Sequence, residues 1–242
     1  MKTWLSRVVF SSLAMALLSP SYGQLATGGV VSQDQKGNVF TTYLISTTYT
    51  GKAISTIRYL GSPFLGTNVW HPGSLQFPNG HHLAGKLSYN LITETIFFQT
   101  SDSLETYPVV PDEFILEGRK FIGISHNDLG RRQMAYYQVV YDGPTKLLRR
   151  YQERLQLISR SVYPMRTPSD EKFDGRYLIS EEIYIKRAGK SPKRIQLTQE
   201  SLQKALPDAP SDLFSSEITK DLNQAKLIEL LTAYDSRKLG NY

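Results

Sequence analysis

Short apolar segments separated by polar turns dominate most of this chain. From Val39 to Leu197, segments rich in Val, Ile, Thr, Tyr and Phe alternate with clusters of Gly, Pro, Asn and Asp. This alternation is typical of β-strands joined by tight turns. After Thr198 the apolar residues instead recur at every third or fourth position, which is typical of amphipathic helices. The sequence therefore predicts a β-rich body over residues 38–197 and a C-terminal helical segment over residues 198–242.

Residues 73–99 form the best-defined unit of the predicted body. Asn79 and Gly80 lie between two strand-like segments, and both residues accept the positive φ angles that primed hairpin turns require. These two segments, over 74–77 and 83–91, and a third strand over 93–99 form a predicted three-stranded antiparallel meander. The predicted fold class is α+β, with an antiparallel β-sheet body, open or partly closed, and short C-terminal helices packed on it.

Further strand-like segments lie on both sides of the meander. They cover residues 37–49, 106–110, 114–117, 120–125, 135–141, 177–187 and 193–197. Residues 146–159 fit a helix and a long strand about equally well, because their apolar residues have helical spacing while turn clusters flank the segment. Residues 160–176 are rich in Pro, Ser and Asp and predict an exposed loop.

Two helices are predicted in the C-terminal segment. Thr198 is a suitable N-cap for the first helix, and Pro207 ends it. The second helix is predicted over residues 218–235, with an apolar stripe along one side. The stripe consists of Leu222, Ala225, Ile228, Leu231 and either Leu230 or Tyr234. Because a large exposed apolar stripe is unfavourable in water, we expect this helix to pack on the sheet.

The first 23 residues have the pattern of a cleavable signal peptide. Lys2 and Arg7 accompany an apolar run from Val8 to Leu18, and Ser21-Tyr22-Gly23 places small residues before the expected cleavage point. The apolar run is too short for a membrane anchor, because a spanning helix needs ~20 residues. We therefore expect an exported protein, periplasmic or extracellular, with no membrane span after signal cleavage. Residues 24–37 are expected to form a flexible leader.

The composition indicates how the fold is stabilised and which class of partner is not expected. The 242-residue chain contains no cysteine, so no disulfide stabilises it and an exported domain must be held together by its core. Hydrophobic residues make up 40% of the chain, which is ordinary for a folded globular protein. The formal charge of +6 comes without the dense basic blocks that bind phosphate backbones, so no nucleic-acid partner is expected.

Two stretches of sequence carry a resemblance to a known family. The first contains Gly61-Ser62-Pro63-Phe64-Leu65, Trp70, Asn79-Gly80 and Leu87-Ser88-Tyr89-Asn90-Leu91. The second contains Tyr136-Tyr137-Gln138-Val139-Val140-Tyr141-Asp142-Gly143 and Leu147-Leu148-Arg149-Arg150-Tyr151. With the helical tail, residues 59–235 resemble uncharacterised secreted proteins of Bacteroidetes-type bacteria. The resemblance implies a cell-envelope location and brings no activity or site residues.

Residue types that carry catalytic chemistry form no recognised motif in this sequence. The four histidines lack metal-ligand spacing; His81 and His82 are strand neighbours expected on opposite sides, and His71 lies in a turn-like setting. A Gly-x-Ser-x-Gly motif is absent, and Glu181 and Glu182 are also strand neighbours that cannot form a catalytic carboxylate pair by themselves. No catalytic residue, metal or cofactor is therefore predicted.

Tyrosine is the one enrichment that indicates binding. Four of the 15 tyrosines lie close together in the sequence, and we consider them a candidate binding face: Tyr136, Tyr137, Tyr141 and Tyr151. Tyrosine suits a binding surface because it combines apolar area with a hydroxyl, although it is equally favoured in ordinary strand packing. The expected function is that of an exported cell-envelope protein of unknown biochemical activity, a non-catalytic binding or interaction module for an unidentified protein or envelope component. The alternative is a hydrolase-like enzyme with site residues scattered along the chain.

Overall fold

The computed structural model describes residues 29–46, 54–66, 69–100, 105–128, 131–158, 173–214 and 222–239. The signal peptide expected over 1–23 lies outside these residues. So do the beginning of the expected leader, most of the loop predicted over 160–176 and the predicted start of the second helix.

Within the described residues, thirteen strands belong to one sheet. They are β1 (Val30–Gln33), β2 (Val39–Ser46), β3 (Ile54–Leu60), β4 (His71–Gln76), β5 (His82–Asn90), β6 (Thr95–Gln99), β7 (Thr106–Val109), β8 (Glu113–Leu116), β9 (Arg119–Asp128), β10 (Arg131–Tyr141), β11 (Lys146–Leu157), β12 (Gly175–Lys186) and β13 (Lys193–Ile195). They are followed by helix α1 (Gln199–Ala205), a 3₁₀ turn (Ser211–Phe214) and helix α2 (Gln224–Leu239).

The strand order is β1-β2-β3-β12-β11-β10-β9-β8-β4-β5-β6-β7, and β13 pairs with β12. A β-rich body with two C-terminal helices is confirmed, but the sheet is open and mixed, neither partly closed nor wholly antiparallel. The parallel pair is β3 with β12, which meet at Tyr59↔Gly175 and Leu60↔Arg176. This pairing joins distant parts of the chain, and local alternation of apolar residues carries no information about it.

The body begins earlier than predicted, because part of the expected leader is a strand. Residues 30–33 form β1, which pairs antiparallel with β2 from Val30↔Thr42 to Gln33↔Val39. The intervening turn is held by Asp34, whose carboxylate accepts hydrogen bonds from the backbone N–H groups of Lys36 and Asn38 (both 2.9 Å). An Asx turn of this kind accounts for the polar residues that suggested flexibility.

The predicted meander is confirmed as β4, β5 and β6, which pair antiparallel in sequence order. Its first turn differs from the prediction. Gly80 has a φ of 78°, but the described non-glycine residues with positive φ are Glu94 and Glu117, so Asn79 is not one of them. The backbone N–H of Gly80 donates to the carbonyl of Phe77 (2.9 Å). The loop is therefore a three-residue type with glycine in the left-handed position, and not a primed two-residue turn.

Two long hairpins occupy the middle of the sheet. One is β9 with β10, and the other is β11 with β12, paired from Lys146↔Lys186 to Leu157↔Gly175. The segment that fitted both a helix and a strand is therefore a strand. Its apolar residues have helical spacing, but the segment forms a ladder of hydrogen bonds with β12. Because β12 is remote in sequence, the local spacing does not indicate this partner.

These two hairpins are joined at one end. Residues 138–141 of β10 pair with residues 147–149 of β11, and a bulge lies at this junction. In the described parts of both strands, the ladder does not continue between residues 131–137 and residues 150–157. The hairpins therefore diverge from a common base and leave a cleft between them.

Aromatic rings hold the sheet in a bent shape beside this cleft. Phe114 and Phe121 stack with their ring centroids 4.6 Å apart, and Tyr89 and Tyr136 pack edge-on against Phe114. Tyr89 lies on β5 and Tyr136 on β10, yet their ring centroids are only 5.9 Å apart. Because three strands separate β5 from β10 in the sheet, the sheet must bend to bring these rings together.

Side-chain caps begin both helices. Thr198 accepts a hydrogen bond from the backbone N–H of Ser201 (3.3 Å), which confirms it as the N-cap of α1. Asn223 accepts one from the backbone N–H of Lys226 (3.0 Å), so α2 begins at Gln224. This start is later than the predicted boundary at residue 218, and the helix continues beyond the predicted end at residue 235.

Helix α2 packs on the sheet through a face that only partly matches the predicted stripe. Leu231 is fully buried, as predicted, but Ala225 is exposed. The buried apolar face consists of Leu227, Leu230, Leu231 and Tyr234. These side chains share a core cluster with Leu147 and Ile185 of the sheet, so sheet contact decides which side of the helix is buried. Within the described ranges, no helix combines the length and apolar character needed to cross a membrane.

Candidate functional site

The four tyrosines of the candidate binding face do not form one exposed surface. Tyr136, Tyr137 and Tyr151 are only 2%, 7% and 7% exposed, and they belong to two different core clusters. The fourth, Tyr141, donates a hydrogen bond to Asp235 of α2 (3.2 Å). These residues therefore serve mainly in packing, which is the ordinary role of tyrosine in β-strands. Tyr136 alone among them also lines the cleft between the hairpins.

This cleft has a volume of about 1160 Å³. One wall comes from the β5–β6 turn and the segment around β7, and the other comes from the two hairpins. Its lining residues are Pro78, Leu91, Ile92, Thr93, Glu94, Thr95, Pro108, Val109, Val110, Asp112, His126, Met134, Tyr136, Arg150, Gln152, Glu153, Arg154 and Ser180. The cleft lies where β10 and β11 no longer pair, and both strands contribute to its lining, for example Met134 of β10 and Glu153 of β11.

The β5–β6 turn is clamped against the cleft by an ion pair. Asn90 accepts hydrogen bonds from the backbone N–H groups of Ile92 (3.0 Å) and Thr93 (3.1 Å), which shapes the turn. Glu94 follows in the left-handed region at φ 50°, a conformation that is uncommon for a non-glycine residue. Its carboxylate accepts a hydrogen bond from the Arg150 guanidinium on β11. The turn is therefore fixed across the cleft to the second hairpin.

Glu153 is the most unusual titratable group of the cleft. It lies on β11, where it lines the cleft, and both of its carboxyl oxygens are shielded from solvent. Neither oxygen has a hydrogen-bond partner among the described residues. Burial raises the pKa of Glu153 to about 8, so the carboxyl group is largely protonated at neutral pH.

Two tyrosines lie close enough to Glu153 to interact with it electrostatically. Burial raises the pKa of the Tyr43 hydroxyl and that of the Tyr177 hydroxyl, and the charge of Glu153 adds to both effects. The two hydroxyls are hydrogen-bonded to each other at 2.7 Å. Tyr43 lies on β2 and Tyr177 on β12, so this hydrogen bond joins two strands that are remote in sequence.

The remaining lining divides into an apolar and a polar part. Ile92 and Val110 are 39% and 65% exposed, and the half-buried apolar side chain of Met134 lines the same cleft. Asp112 and Arg154 are exposed polar residues of the same cleft. An apolar wall with a few charged groups is typical of small-ligand sites.

Among the described residues, His71, Glu181 and Glu182 each contact a different charged side chain. In the part of the chain that the structure describes, no three His, Cys, Asp or Glu side chains converge as metal ligands would. His71 lies on β4 rather than in a turn, and its Nδ1 is 2.6 Å from a carboxylate oxygen of Glu117. Glu181 and Glu182 contact different arginines, Arg149 (3.3 Å) and Arg194 (2.8 Å), as expected for strand neighbours on opposite sides.

Sequence reasoning missed Glu94, Arg150 and Glu153. One signal was present: in a strand, Tyr151, Glu153 and Leu155 share a face, so an acid stands between two apolar residues. The signal could be used only after residues 146–159 were assigned to a strand. The partnership of Glu94 with Arg150 had no local signal, because the two residues are 56 positions apart.

Comparison of this chain with known protein families, with curated proteins and with solved structures finds no match. The chemistry of the cleft is therefore the basis on which a function can be assigned.

Proposed function

We propose that this protein is an exported cell-envelope binding module whose ligand site is the cleft between the β9–β10 and β11–β12 hairpins. The observation that carries this proposal is the cleft itself, with a volume of about 1160 Å³, exposed apolar side chains in its lining and the Glu94–Arg150 ion pair fixing one of its turns.

The size and lining of the cleft support a small molecule or a short segment of a larger partner. Small-ligand sites usually have volumes of about 300–1,000 Å³ and a mainly apolar lining with few polar groups. The cleft of about 1160 Å³ lies slightly above that range. The partner is an unidentified protein or envelope component, and no nucleic acid is proposed because the chain lacks dense basic blocks.

Export is supported by the positive, apolar and small-residue order over residues 1–23, and by the resemblance to secreted proteins. Because signal peptidases favour small residues before the cut, the mature chain is proposed to begin at Gln24. N-terminal sequencing of the protein recovered from the exported fraction tests this. Recovery of chains that still begin at Met1 in that fraction would contradict the export proposal.

A cleft-filling variant tests the binding site. Ser180 is exposed and lines the cleft, so Ser180→Trp should occupy part of it. Ser191 is equally exposed in the β12–β13 hairpin, and Ser191→Trp is the matched control. A panel of amino acids, short peptides, sugars, amines and organic acids is screened by thermal shift. A compound that stabilises the wild type and Ser191→Trp but not Ser180→Trp supports the site, and a panel with no such compound contradicts it.

One observation favours an enzyme as the second candidate. A carboxyl group with a pKa of about 8 in a cleft is protonated at neutral pH, as a general acid must be. A hydrolase-like enzyme would therefore use Glu153 as its proton donor. Assays with chromogenic glycosides and esters distinguish this from binding, because turnover by the wild type would be lost in Glu153→Gln. Absence of turnover with every substrate leaves the binding module as the function.

A further inference from the structure

We infer that the cleft takes an extended peptide segment of a partner protein, with alternating apolar and polar residues, which pairs as a strand with the open edge of β11. This inference rests on the proposed binding function and names the partner class of the same site. Its basis is that β10 and β11, two strands inside the sheet, each present an edge to the cleft that has no partner strand among the described residues.

The open edge of β11 covers residues 150–157. These residues pair with β12 on one side, but the ladder with β10 ends at Gln138↔Arg149. Residues 131–137 of β10 likewise pair only with β9 among the described strands. A strand edge without a neighbour presents a row of backbone N–H and C=O groups. The cleft is therefore bordered by backbone donors and acceptors with which another strand can pair.

The direction of these backbone groups follows from the ladder between β11 and β12. Ile158 continues this ladder, and its N–H donates to the carbonyl of Asp174 (2.9 Å). Successive residues of an antiparallel strand turn their N–H and C=O groups to opposite edges, and the register of this ladder is continuous. The even-numbered residues of β11 therefore bond to β12, whereas Glu153 and Leu155 turn their backbone groups toward the cleft.

The lining of the cleft agrees with this geometry. Glu153 lines the cleft although both of its carboxyl oxygens are shielded from solvent, so a ligand meets the strand edge there and not the carboxyl group. Gln138 and Arg149 are the last pair of the β10–β11 ladder and turn their backbone groups toward each other. By the same alternation Met134 and Tyr136 of β10 turn theirs toward the cleft, and both residues line it.

The outer edges of the sheet are protected against strand pairing, whereas this inner edge is not. β1 has only four residues, and β7 contains Pro108, which has no backbone N–H to donate. Short edge strands and prolines are usual means by which proteins prevent pairing with other chains. The open part of β11 contains no proline. The fold therefore leaves the β11 edge available to a partner.

Exposed side chains on one face of the β11–β12 hairpin favour apolar residues at alternate positions of the peptide. Leu155, Leu157 and Ile179 are large apolar residues that are exposed. Leu155 and Leu157 share a face of β11, and Ile179 lies on that face because it is paired with Glu153. An added strand places every second side chain on this face. Apolar side chains at those positions gain roughly 25 cal/mol per Å² of surface covered.

The opposite face of the same hairpin is polar at the cleft. Gln152 and Arg154 of β11 line the cleft there, together with Ser180, which is paired with Gln152. The peptide side chains that point to this face are therefore polar. In recognition by strand addition, main-chain hydrogen bonds supply affinity and alternate side chains supply specificity.

Fluorescence anisotropy with four labelled heptapeptides tests the inference on the full mature chain. The first peptide alternates valine and serine, and the second has the same composition with its valines together. The third and fourth are the first peptide N-methylated at every serine or at every valine. We expect the alternating peptide to bind and the second to bind at least about tenfold more weakly. At least one N-methylated peptide should lose about tenfold or more, because alternate N–H groups point to β11.

A proline variant tests the same edge from the protein side. Leu155→Pro removes an N–H from the open edge and spares the ladder with β12, whose N–H groups come from even-numbered residues of β11. It should weaken binding of the alternating peptide at least about tenfold. Leu155→Ala is the matched control, because it keeps the N–H and should weaken binding less. A melting curve confirms that Leu155→Pro is folded, and the N-methylated peptides decide the question without any variant.

Each alternative result has a distinct meaning. Equal binding of the alternating peptide and all of its controls would overturn strand pairing, and so would equal binding by the wild type and a folded Leu155→Pro. Failure of every heptapeptide to bind would also overturn the inference. Self-association of the chain that Leu155→Pro abolishes, measured by size-exclusion chromatography, would replace the partner with a second copy. The proposed function itself fails only if the broader panel yields no compound sensitive to Ser180→Trp.

Discussion

The carboxylate of Asp235 on α2 accepts a hydrogen bond from the backbone N–H of Thr145 in the β10–β11 turn, at 3.1 Å. Both residues are almost fully buried, at 3% and 4% exposed. The same carboxylate oxygen also accepts from the hydroxyl of Tyr141. One helical acid thus connects the C-terminal helix to the base from which the two hairpins diverge.

Replacing Asp235 with alanine should therefore lower the free energy of unfolding. Asp235→Ala leaves the N–H of Thr145 buried without a partner, which costs about 1–3 kcal/mol. Asp212→Ala is the control, because its ion pair with Arg237 at 2.7 Å is largely exposed and such pairs contribute about 0–1 kcal/mol. Urea unfolding followed by circular dichroism measures both. An equal decrease in the free energy of unfolding in the two variants would show that the buried hydrogen bond stabilises the fold no more than the exposed ion pair does.

The C-terminal helix should be an obligatory part of the fold. Leu231 is fully buried against a cluster that includes Leu147 and Ile185 of the sheet, so Leu231→Ala should cost about 2–5 kcal/mol. Thr232→Ala, at the next and exposed position, should cost far less. Truncation after Leu197 should abolish cooperative unfolding. A truncated chain that remains monomeric and unfolds cooperatively would instead make the helix a detachable tail.

Gly80 should resist substitution by β-branched residues. Its φ of 78° lies in the left-handed region, while a Cβ at this position would meet no atom within 4 Å. The penalty for Gly80→Val is therefore conformational rather than steric, of about 1–3 kcal/mol. Gly80→Asn should cost less, because asparagine tolerates this region. Melting temperatures of both variants measure the difference. Equal values would mean that the positive φ at Gly80 does not determine the cost of substitution.

Glu153 should make the stability of the protein decrease with rising pH. Its pKa is raised by burial from 4.5 to about 8, so the folded state binds more protons than the unfolded state between these values. The free energy of unfolding therefore falls as the pH rises from about 4.5 to about 8. Glu153→Gln cannot ionise and removes this contribution, whereas Glu229→Gln retains it.

Thermal melts between pH 5 and pH 8.5 measure the effect. The melting temperature of Glu153→Gln relative to wild type should rise by at least about 2 °C over this interval, since 1 kcal/mol corresponds to roughly 2–4 °C in a domain of this size. Parallel melting curves for the wild type and Glu153→Gln at all pH values would mean that Glu153 titrates normally in the folded protein.

Local sequence was sufficient for the elements whose physics is local. The left-handed glycine at Gly80 and the Thr198 cap are each decided by residues within a few positions of one another. The strands β4, β5 and β6 of the meander follow one another directly along the chain. Turn chemistry and capping act over this range, so their residue types predict them directly. The β-rich body and the two C-terminal helices follow from the same kind of information.

Tertiary structure alone decided the features that create the cleft. The parallel pairing of β3 with β12 joins residues that are remote in sequence, and so does the ion pair of Glu94 with Arg150. The divergence of β10 from β11 depends on the bend of the whole sheet. The same holds for the burial that raises the pKa of Glu153. Strand alternation states which side of a strand a residue occupies, but the burial and partners of that side depend on non-local packing, which a local pattern does not encode.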